Sequence, residues 1–314
     1  MDRRSQLVDR CGGGASTLVI STRPKLTGER PQEGVTPDSL LSLHDAGYRE
    51  VLARLGPGVV LDVGIGEGFE SARLAGDGRR VIGVDYSAEA VDTAKRAHGG
   101  ALVLGRMDAG ALGLADGAVD WICSSHLIEH FYDPGPHVAE MARVLGPDGT
   151  AFVLTPNAPA DFENPFHLRL FGPEDLAAFL ARWFIDVTVF GLDASERVKE
   201  DFATRRAMAA RLLRLDVFDM RHRMPRHWYV WLYARLLPIA YRILDRRGRG
   251  ARGGLRCDAE PGNGLPSDAR GREGRISAAD WFVTDEIDDT TPVLFALCKR
   301  PRDNSGRETS PARP

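Results

Sequence analysis

Three glycines and two acidic residues form the pattern in this sequence that can do chemistry. The run Asp62-Val63-Gly64-Ile65-Gly66-Glu67-Gly68 ends a short apolar stretch, and a helical pattern begins at Phe69. Glycines at a strand-to-helix junction let the backbone approach a ligand, and the helix start offers free N–H groups. Asp85 ends the next apolar stretch, 19 residues after Gly66, where a carboxylate can accept both hydroxyls of a ribose. These residues predict a nucleoside-binding site. The alternatives are a tight turn without a ligand and, for Asp85, an acid that favours a helix start.

The spacing of the glycines separates two cofactor classes. Dinucleotide-binding loops follow the pattern G-x-G-x-x-G. Here Gly64, Gly66 and Gly68 give G-x-G-x-G instead, and Phe69 follows directly. None of the 6 tyrosines has a lysine four positions later, which short-chain reductases require. The pattern therefore argues against a nicotinamide-dependent oxidoreductase.

Alternating strand and helix patterns position these residues. The predicted strands before the last one lie at 59–63, 80–84, 101–104, 119–123, 149–154 and 184–190, with helical patterns between them. This alternation predicts an α/β fold, with a doubly wound, seven-stranded, mostly parallel sheet. The last strand is expected within residues 281–300, after a helical insertion. In such a sheet the carboxyl ends of the strands form the ligand crevice.

Several motifs, taken in order, resemble the class I S-adenosylmethionine (SAM)-dependent methyltransferases. The likeness is to the methyltransferase type 11 group, which is similar to ubiquinone and menaquinone methyltransferases. It runs from about Thr27 to Phe190 and again over 281–299. The motifs that carry it are Thr27-Gly28-Glu29-Arg30, the helix with His44 and Tyr48, Asp62 to Gly68, Asp85, Met107-Asp108-Ala109, Asp120 to His130, and Arg143 to Thr150.

The resemblance implies a Rossmann-like methyltransferase fold with SAM as its cofactor. It implies that Asp62 attracts the amino group of the methionine part, that Asp85 binds the ribose, and that Asp108 accepts a hydrogen bond from the adenine amine. Since SAM brings an activated methyl group, the protein must orient a nucleophile and exclude water. The full implied cofactor set is Asp62, Gly64, Gly66, Gly68, Asp85, Tyr86, Met107, Asp108, Ala109 and Ser124.

The run His126-Leu127-Ile128-Glu129-His130 after the fourth strand provides candidate general bases. His126 and His130 are the catalytic candidates, because imidazole exchanges protons near neutral pH. His167 is a further candidate. The alternative is that the histidines are structural and that the enzyme acts by positioning. The same letters spell a zinc-peptidase motif, H-x-x-E-H, but that motif needs a long helix and a third ligand. Asp133-Pro134 breaks the chain soon after it, so we predict no metal site.

A basic segment lies between the sixth and the last predicted strands. Residues 196–256 contain 16 Arg and Lys against 6 Asp and Glu, a net charge of +10 in a chain whose formal net charge is −3. We predict a basic helical insertion or lid over 193–280, with a flexible loop at 247–275. The aromatic and leucine-rich stretch 227–244 packs on the core in one interpretation. In another, 221–256 lies on a membrane surface, as cationic amphipathic helices do. RNA binding is a third interpretation, without a recognisable RNA module to support it.

The remaining features of the sequence concern its terminal segments and the location of the protein in the cell. We predict an irregular arm over 1–36, a methyltransferase core over 37–192 and a disordered tail over 301–314. The 4 cysteines form no C-x-x-C pair, and neither a signal-peptide pattern nor a long apolar run is present. We therefore expect a cytoplasmic protein, with peripheral contact at the inner face of the membrane as an option.

The expected activity is methylation of a small-molecule acceptor. We expect a sugar, a glycan or lipid intermediate, or a natural product, with O-methylation favoured. An anionic or lipid-linked acceptor would suit the basic insertion, and nucleic acid is not favoured. A SAM-binding scaffold without turnover and an RNA methyltransferase are the alternatives. The sequence does not indicate an oligomeric state.

Overall fold

The computed structural model describes residues 36–161, 164, 166–214 and 276–302. Within these ranges, one sheet of eight strands is covered by helices. The helices are α1 (Asp38–Leu52), α2 (Phe69–Arg73), α3 (Ala88–His98), α4 (Gly135–Val144), α5 (Pro173–Leu180) and α6 (Glu196–Arg214). The strands are β1 (Gly58–Val63), β2 (Arg79–Asp85), β3 (Leu102–Arg106), β4 (Val119–Ser125), β5 (Leu145–Pro156), β6 (Phe184–Ala194), β7 (Trp281–Thr284) and β8 (Val293–Pro301).

The sheet has the strand order β3-β2-β1-β4-β5-β8-β6-β7. The pairs β3–β2, β2–β1, β1–β4 and β4–β5 are parallel, whereas β8 runs antiparallel to β5 and β6 on either side of it. Apolar side chains pack on both faces: α4 and α5 cover one face, and α1 and α6 cover the other. The predicted doubly wound, mostly parallel α/β fold is confirmed.

The sheet has eight strands where seven were predicted. The region 281–300, treated as one last strand, contains both β7 and β8, and β7 pairs antiparallel with the end of β6. Strand β7 was not predicted as a separate strand because it has four residues and lies at the sheet edge. Trp281 holds it in place: the indole Nε1 donates a hydrogen bond to Ser42 Oγ at 2.9 Å, and Arg49 donates one to the Trp281 carbonyl at 3.0 Å.

Polar residues just before apolar helical patterns predict Ser87 as the N-cap of the helix after β2, and Asp38 or Ser39 as the N-cap of the first helix. The two predictions differ in outcome. Ser87 caps α3, because its hydroxyl accepts a hydrogen bond from the Ala90 N–H at 3.3 Å, as predicted. The prediction that Asp38 or Ser39 caps α1 is wrong, since the cap position is Pro37 and no side chain accepts there. Ser39 instead donates a hydrogen bond to Asp201 of α6 at 2.6 Å. The Ser39 hydroxyl therefore links α1 to α6 rather than capping the start of α1.

Several predictions concern residues outside the described ranges. They are the arm up to residue 35 with Thr27–Arg30, the stretch 227–244, the segment 221–256, the loop 247–275 and the tail beyond 302. Within the predicted insertion, residues 193–194 belong to β6 and α6 is a helix. Strand β8 includes Pro301, the first residue of the predicted tail. No helix in the described part of the chain is long and apolar enough to cross a membrane.

Candidate active site

The glycine loop between β1 and α2 has a backbone conformation that requires glycine. The φ angles of Gly64, Gly66 and Gly68 are 83°, 54° and 79°, all in the left-handed region. Other L-residues adopt this region at a cost of about 1–2 kcal/mol each. The Gly64 N–H donates to the Val84 carbonyl at 2.8 Å, which fixes the loop against β2. The G-x-G-x-G spacing thus encodes one particular turn at the carboxyl end of β1.

Leu127 packs directly against this loop. A Cβ atom built on Gly64 would lie 3.2 Å from both δ carbons of Leu127. Leu127 lies between His126 and the 3-10 turn Ile128–His130, in the segment that follows β4. The predicted cofactor loop and the predicted catalytic histidines are therefore neighbours in the fold.

Asp85 links the glycine loop to the start of α3. Its Oδ2 accepts a hydrogen bond from the Gly66 N–H at 3.0 Å, and its Oδ1 accepts one from the Ser87 N–H at 2.8 Å. The carboxylate is buried at the carboxyl end of β2. This geometry supports a role in shaping the loop and the helix start together.

Asp62 lies inside the protein, behind the loop. It is fully buried and accepts hydrogen bonds from Ser71 Oγ at 2.5 Å and from the Tyr48 hydroxyl at 3.1 and 3.2 Å. Burial raises the pKa of Asp62 to about 6, against the lowering effect of these hydrogen bonds. The carboxylate thus joins α1 and α2 to β1. Tyr48 acts as its partner, a role that the sequence did not indicate.

The residues implied to contact the adenosine part lie at the ends of β2 and β3. Tyr86 is 66% exposed, and Asp108 is exposed with its Oδ1 accepting the Gly110 N–H at 2.8 Å. The Met107 N–H donates to the Asp85 carbonyl at 3.1 Å. Ala109 follows in the same turn. These residues adjoin Asp85 on the side away from β4, since β3 pairs with β2.

Ser124 faces a histidine that the sequence reasoning missed. Its hydroxyl donates a hydrogen bond to His137 Nε2 at 2.9 Å, while His137 Nδ1 donates to the Ala109 carbonyl at 3.3 Å. Burial lowers the pKa of His137 to about 4, so the ring is neutral at pH 7. Both side chains are buried. His137 of α4 thereby connects the end of β4 to the turn after β3.

His126 occupies a strained position at the end of β4. Its φ is 51°, uncommon for a residue other than glycine, and such strain concentrates at functional sites. Its Nδ1 donates to Glu129 Oε1 at 3.3 Å, and its ring lies 4.7 Å from that of His44. Burial and the nearby His126 lower the pKa of His44 to about 3. The His126 Nε2 atom is buried and has no hydrogen-bond partner among the described residues.

Glu129 is the buried charge at the centre of this region. It is fully buried, and Thr155 Oγ1 donates a hydrogen bond to its Oε2 at 3.1 Å. Burial alone would raise the pKa of Glu129, but hydrogen bonding to His126 and the nearby His130 and His167 bring it down to about 2. The carboxylate is therefore ionised. The sequence analysis named Glu129 only as part of the H-x-x-E-H run and predicted no role for it.

His130 and His167 come together from two different segments. His130 Nδ1 donates to the Phe166 carbonyl at 3.1 Å, and the two imidazole rings lie 5.4 Å apart. His167 Nδ1 donates to Asp161 Oδ1 at 2.7 Å. Burial lowers the pKa of His167, but Asp161 outweighs burial, and the net shift is upward. The fold thus gathers His126, Glu129, His130 and His167 beyond the carboxyl ends of β4 and β5.

Comparisons with known proteins find relatives among the SAM-dependent methyltransferases. A family described as a methyltransferase domain matches residues 61–153. A probable SAM-dependent methyltransferase of Mycolicibacterium smegmatis is 34% identical over 175 residues, which cover 54% of this chain and 67% of that protein. A similarly named protein of Mycobacterium tuberculosis is 32% identical over 194 residues, which cover 59% of this chain and 69% of that protein. The solved structure of a SAM-dependent methyltransferase from Aquifex aeolicus aligns with a TM-score of 0.42 at 20% identity. The alignment covers 50% of this chain and 86% of that one.

Proposed function

Because the chain belongs to the class I SAM-dependent methyltransferases, we propose that it methylates a hydroxyl group of a small-molecule acceptor. The observation that carries this proposal is the group of His126, Glu129, His130 and His167 beside the glycine loop. A hydroxyl is a weak nucleophile until its proton is removed, so its methylation benefits from a positioned base. A histidine held by a buried carboxylate is such a base.

The described residues fit SAM. The left-handed glycine loop lies at the carboxyl end of β1, and the Asp85 carboxylate lies at the end of the neighbouring strand β2. Gly64, Gly66, Asp85 and Asp108 would hold the nucleoside part, with Tyr86 and Met107 beside them. Asp62 lies behind the loop and would attract the amino group of the methionine part of SAM, with Tyr48 and Ser71 holding the carboxylate in place. When bound, SAM supplies an activated methyl group, and the chain supplies orientation and the base.

His126 is our first candidate for the base. Its Nδ1–H points to Glu129, which fixes the tautomer and leaves the Nε2 lone pair to accept a proton. This Nε2 is buried and unpaired among the described residues, and an acceptor hydroxyl placed there would give it a partner. His130 is the second candidate, since its Nδ1–H is likewise held, by the Phe166 carbonyl.

A cavity of about 400 Å³ suits a small acceptor in size. It lies between α6 and the segment that precedes β8, and its lining includes Ala160 but none of the candidate bases. Small-molecule sites typically enclose about 300–1,000 Å³. Its lining carries Lys199 and Arg206 together with acidic side chains, which suits a polar acceptor. For the segment 221–256 we propose contact with a lipid-linked or anionic acceptor, on the basis of its charge and aromatic content alone.

The experiment that tests this function is a transfer assay with methyl-labelled SAM. Small-molecule, lipid, RNA and protein fractions of a cell extract serve as acceptors, and alkali stability of the product distinguishes ethers from esters. We expect label in a small-molecule or lipid fraction, carried on oxygen. Label confined to RNA would contradict the proposed acceptor, and label on no fraction would favour a scaffold. His126→Asn should abolish most of the transfer, whereas Glu174→Gln, an exposed change on α5, should not.

A further inference from the structure

Three side chains of the site form a cluster whose geometry suits a metal ion. Glu129, His130 and His167 each offer one ligand atom, and these atoms lie within 4.8 Å of one another. Around Zn²⁺, with bonds of about 2.0–2.1 Å, tetrahedral ligand atoms lie about 3.4 Å apart. Small side-chain rotations that draw the atoms inward by about an ångström therefore complete the set. The cluster differs from the H-x-x-E-H motif, because His167 takes the place of His126.

Both histidines are oriented as metal ligands usually are. His130 donates Nδ1–H to the Phe166 carbonyl at 3.1 Å, and His167 donates Nδ1–H to Asp161 at 2.7 Å. Metal-bound imidazoles characteristically give their other N–H to a carbonyl or a carboxylate, which leaves one lone pair directed at the metal. In both residues that lone pair is on Nε2.

Glu129 supplies the negative charge that such a site needs. It is fully buried and ionised, and His126 Nδ1 donates a hydrogen bond to it at 3.3 Å. A buried carboxylate is costly without a compensating positive charge. Each of its oxygens makes one hydrogen bond, to His126 or to Thr155, and retains a further lone pair. A divalent cation would compensate this charge more fully than a single imidazole does.

One hydrogen bond would compete with metal binding at His167. The Asn164 amide nitrogen lies 3.1 Å from His167 Nε2 and donates a hydrogen bond to it, while Asn164 Oδ1 accepts the Phe166 N–H at 3.1 Å. Binding of a metal at Nε2 must displace this amide. The cost is one neutral hydrogen bond, which is small beside the strength of a zinc–imidazole bond.

We propose that Glu129, His130 and His167 bind one Zn²⁺ ion, with Asp161 and the Phe166 carbonyl orienting the two imidazoles. Two imidazole nitrogens and one carboxylate oxygen match the donor set of catalytic zinc sites, which keep a further position open. Mg²⁺ prefers oxygen ligands and fits this set poorly. The open position would take the acceptor oxygen and ease loss of its proton to His126. This role rests on the proposed O-methylation, whereas binding of the ion does not.

Titration of the full chain with Zn²⁺ tests the site without SAM and without acceptor. After treatment with a chelator, Zn²⁺ affinity is measured by competition with a chromophoric chelator, and Mg²⁺ is measured in parallel by calorimetry. We expect one Zn²⁺ per chain and no comparable binding of Mg²⁺. Asp161→Asn should weaken Zn²⁺ binding by about 10–100-fold, the usual effect of losing such a partner. Glu129→Gln and His167→Ala should weaken it further, and Glu174→Gln should leave it unchanged.

Each outcome decides the proposal. No stoichiometric Zn²⁺ binding by the wild-type chain would overturn it, as would equal binding by Asp161→Asn, Glu129→Gln and Glu174→Gln. Should a variant fail to fold, the wild type still decides, because Zn²⁺ must raise its unfolding temperature. Co²⁺ in its place must also give the visible absorption of a four- or five-coordinate nitrogen–oxygen site. Zn²⁺ binding without hydroxyl methylation would contradict the proposed function alone, and methylation without Zn²⁺ binding would contradict the metal site alone.

Discussion

The Oδ2 atom of Asp85 accepts a hydrogen bond from the backbone N–H of Gly66 at 3.0 Å. This contact joins the end of β2 to the middle of the glycine loop that follows β1. The other oxygen of the same carboxylate accepts the Ser87 N–H at 2.8 Å. One buried side chain therefore fixes both the loop and the start of α3, so that loop conformation and cofactor affinity should depend on it together.

Replacement of Gly64 by alanine should impair both folding and SAM binding. The φ of 83° costs an L-residue about 1–2 kcal/mol, and the added Cβ would meet Leu127 at 3.2 Å. Urea unfolding should show a loss of stability of that size, and calorimetry should show weakened SAM binding. Gly100→Ala is the matched control, since nothing lies within 4 Å of its added Cβ. Equal behaviour of the two variants would contradict the loop geometry.

His137 should make the protein less stable in acid. Burial lowers its pKa from 6.5 to about 4, so the unfolded chain takes up the proton first as pH falls. Its contribution is complete above pH 6.5 and is lost between pH 6.5 and about 4. At pH 5 the loss amounts to about 2 kcal/mol. Urea unfolding at pH 7 and pH 5 measures it.

The variant His137→Gln isolates this effect from other titrating groups. Asp62 acts in the opposite sense, because its pKa is raised to about 6 and its contribution is lost as pH rises from 3.8 to 6. His44 acts in the same sense as His137, with a pKa of about 3. The difference in pH dependence between wild type and His137→Gln therefore reports on His137. An unchanged pH dependence in the variant would refute the buried neutral ring.

Loss of the His126 imidazole should reduce turnover without changing SAM affinity. A positioned base contributes about 10²–10⁴-fold to rate, and His126→Asn should lose a factor in that range. Its turnover number should fall while SAM binding by calorimetry stays within twofold. Full turnover in His126→Asn, with His130→Asn also active, would show that neither histidine is the base and that the enzyme acts by positioning.

The sequence predicted those features that depend on neighbours along the chain. The G-x-G-x-G turn and the Ser87 cap each follow from a few adjacent residues, and the alternation of strand and helix patterns predicted the mostly parallel α/β sheet. The short strand β7 depends on contacts of Trp281 with Ser42 and Arg49, which lie more than 230 positions away in the chain. No local pattern carries such information.

The candidate site was less predictable than the loop for the same reason. Glu129, His130 and His167 meet only because the segments after β4 and β5 fold over the same sheet edge. The orientation of the Ser124 side chain could not be predicted from the sequence either, because a strand that is buried on both faces shows no alternation of apolar and polar residues. Its partner His137 lies 13 positions away, on α4.

The basic segment 221–256 should bring the protein to anionic membranes. Its arginines and aromatic residues resemble those of interfacial helices, whose binding weakens with salt. Flotation with vesicles that contain anionic lipid, compared with neutral vesicles, should recover the full chain and not a deletion of 221–256. Equal recovery of both proteins would dismiss membrane contact through this segment.

Calorimetric titration of SAM into the full chain tests the central claim most directly. We predict one SAM per chain for the wild type and binding weakened by about 10-fold or more in Asp85→Ala, since a charged hydrogen-bonding group is lost. Asp92→Ala, which removes an exposed acid of α3, should bind as the wild type does. No SAM binding by a cooperatively folded wild-type chain, or equal affinity in Asp85→Ala, would contradict the assignment of this loop as the cofactor site.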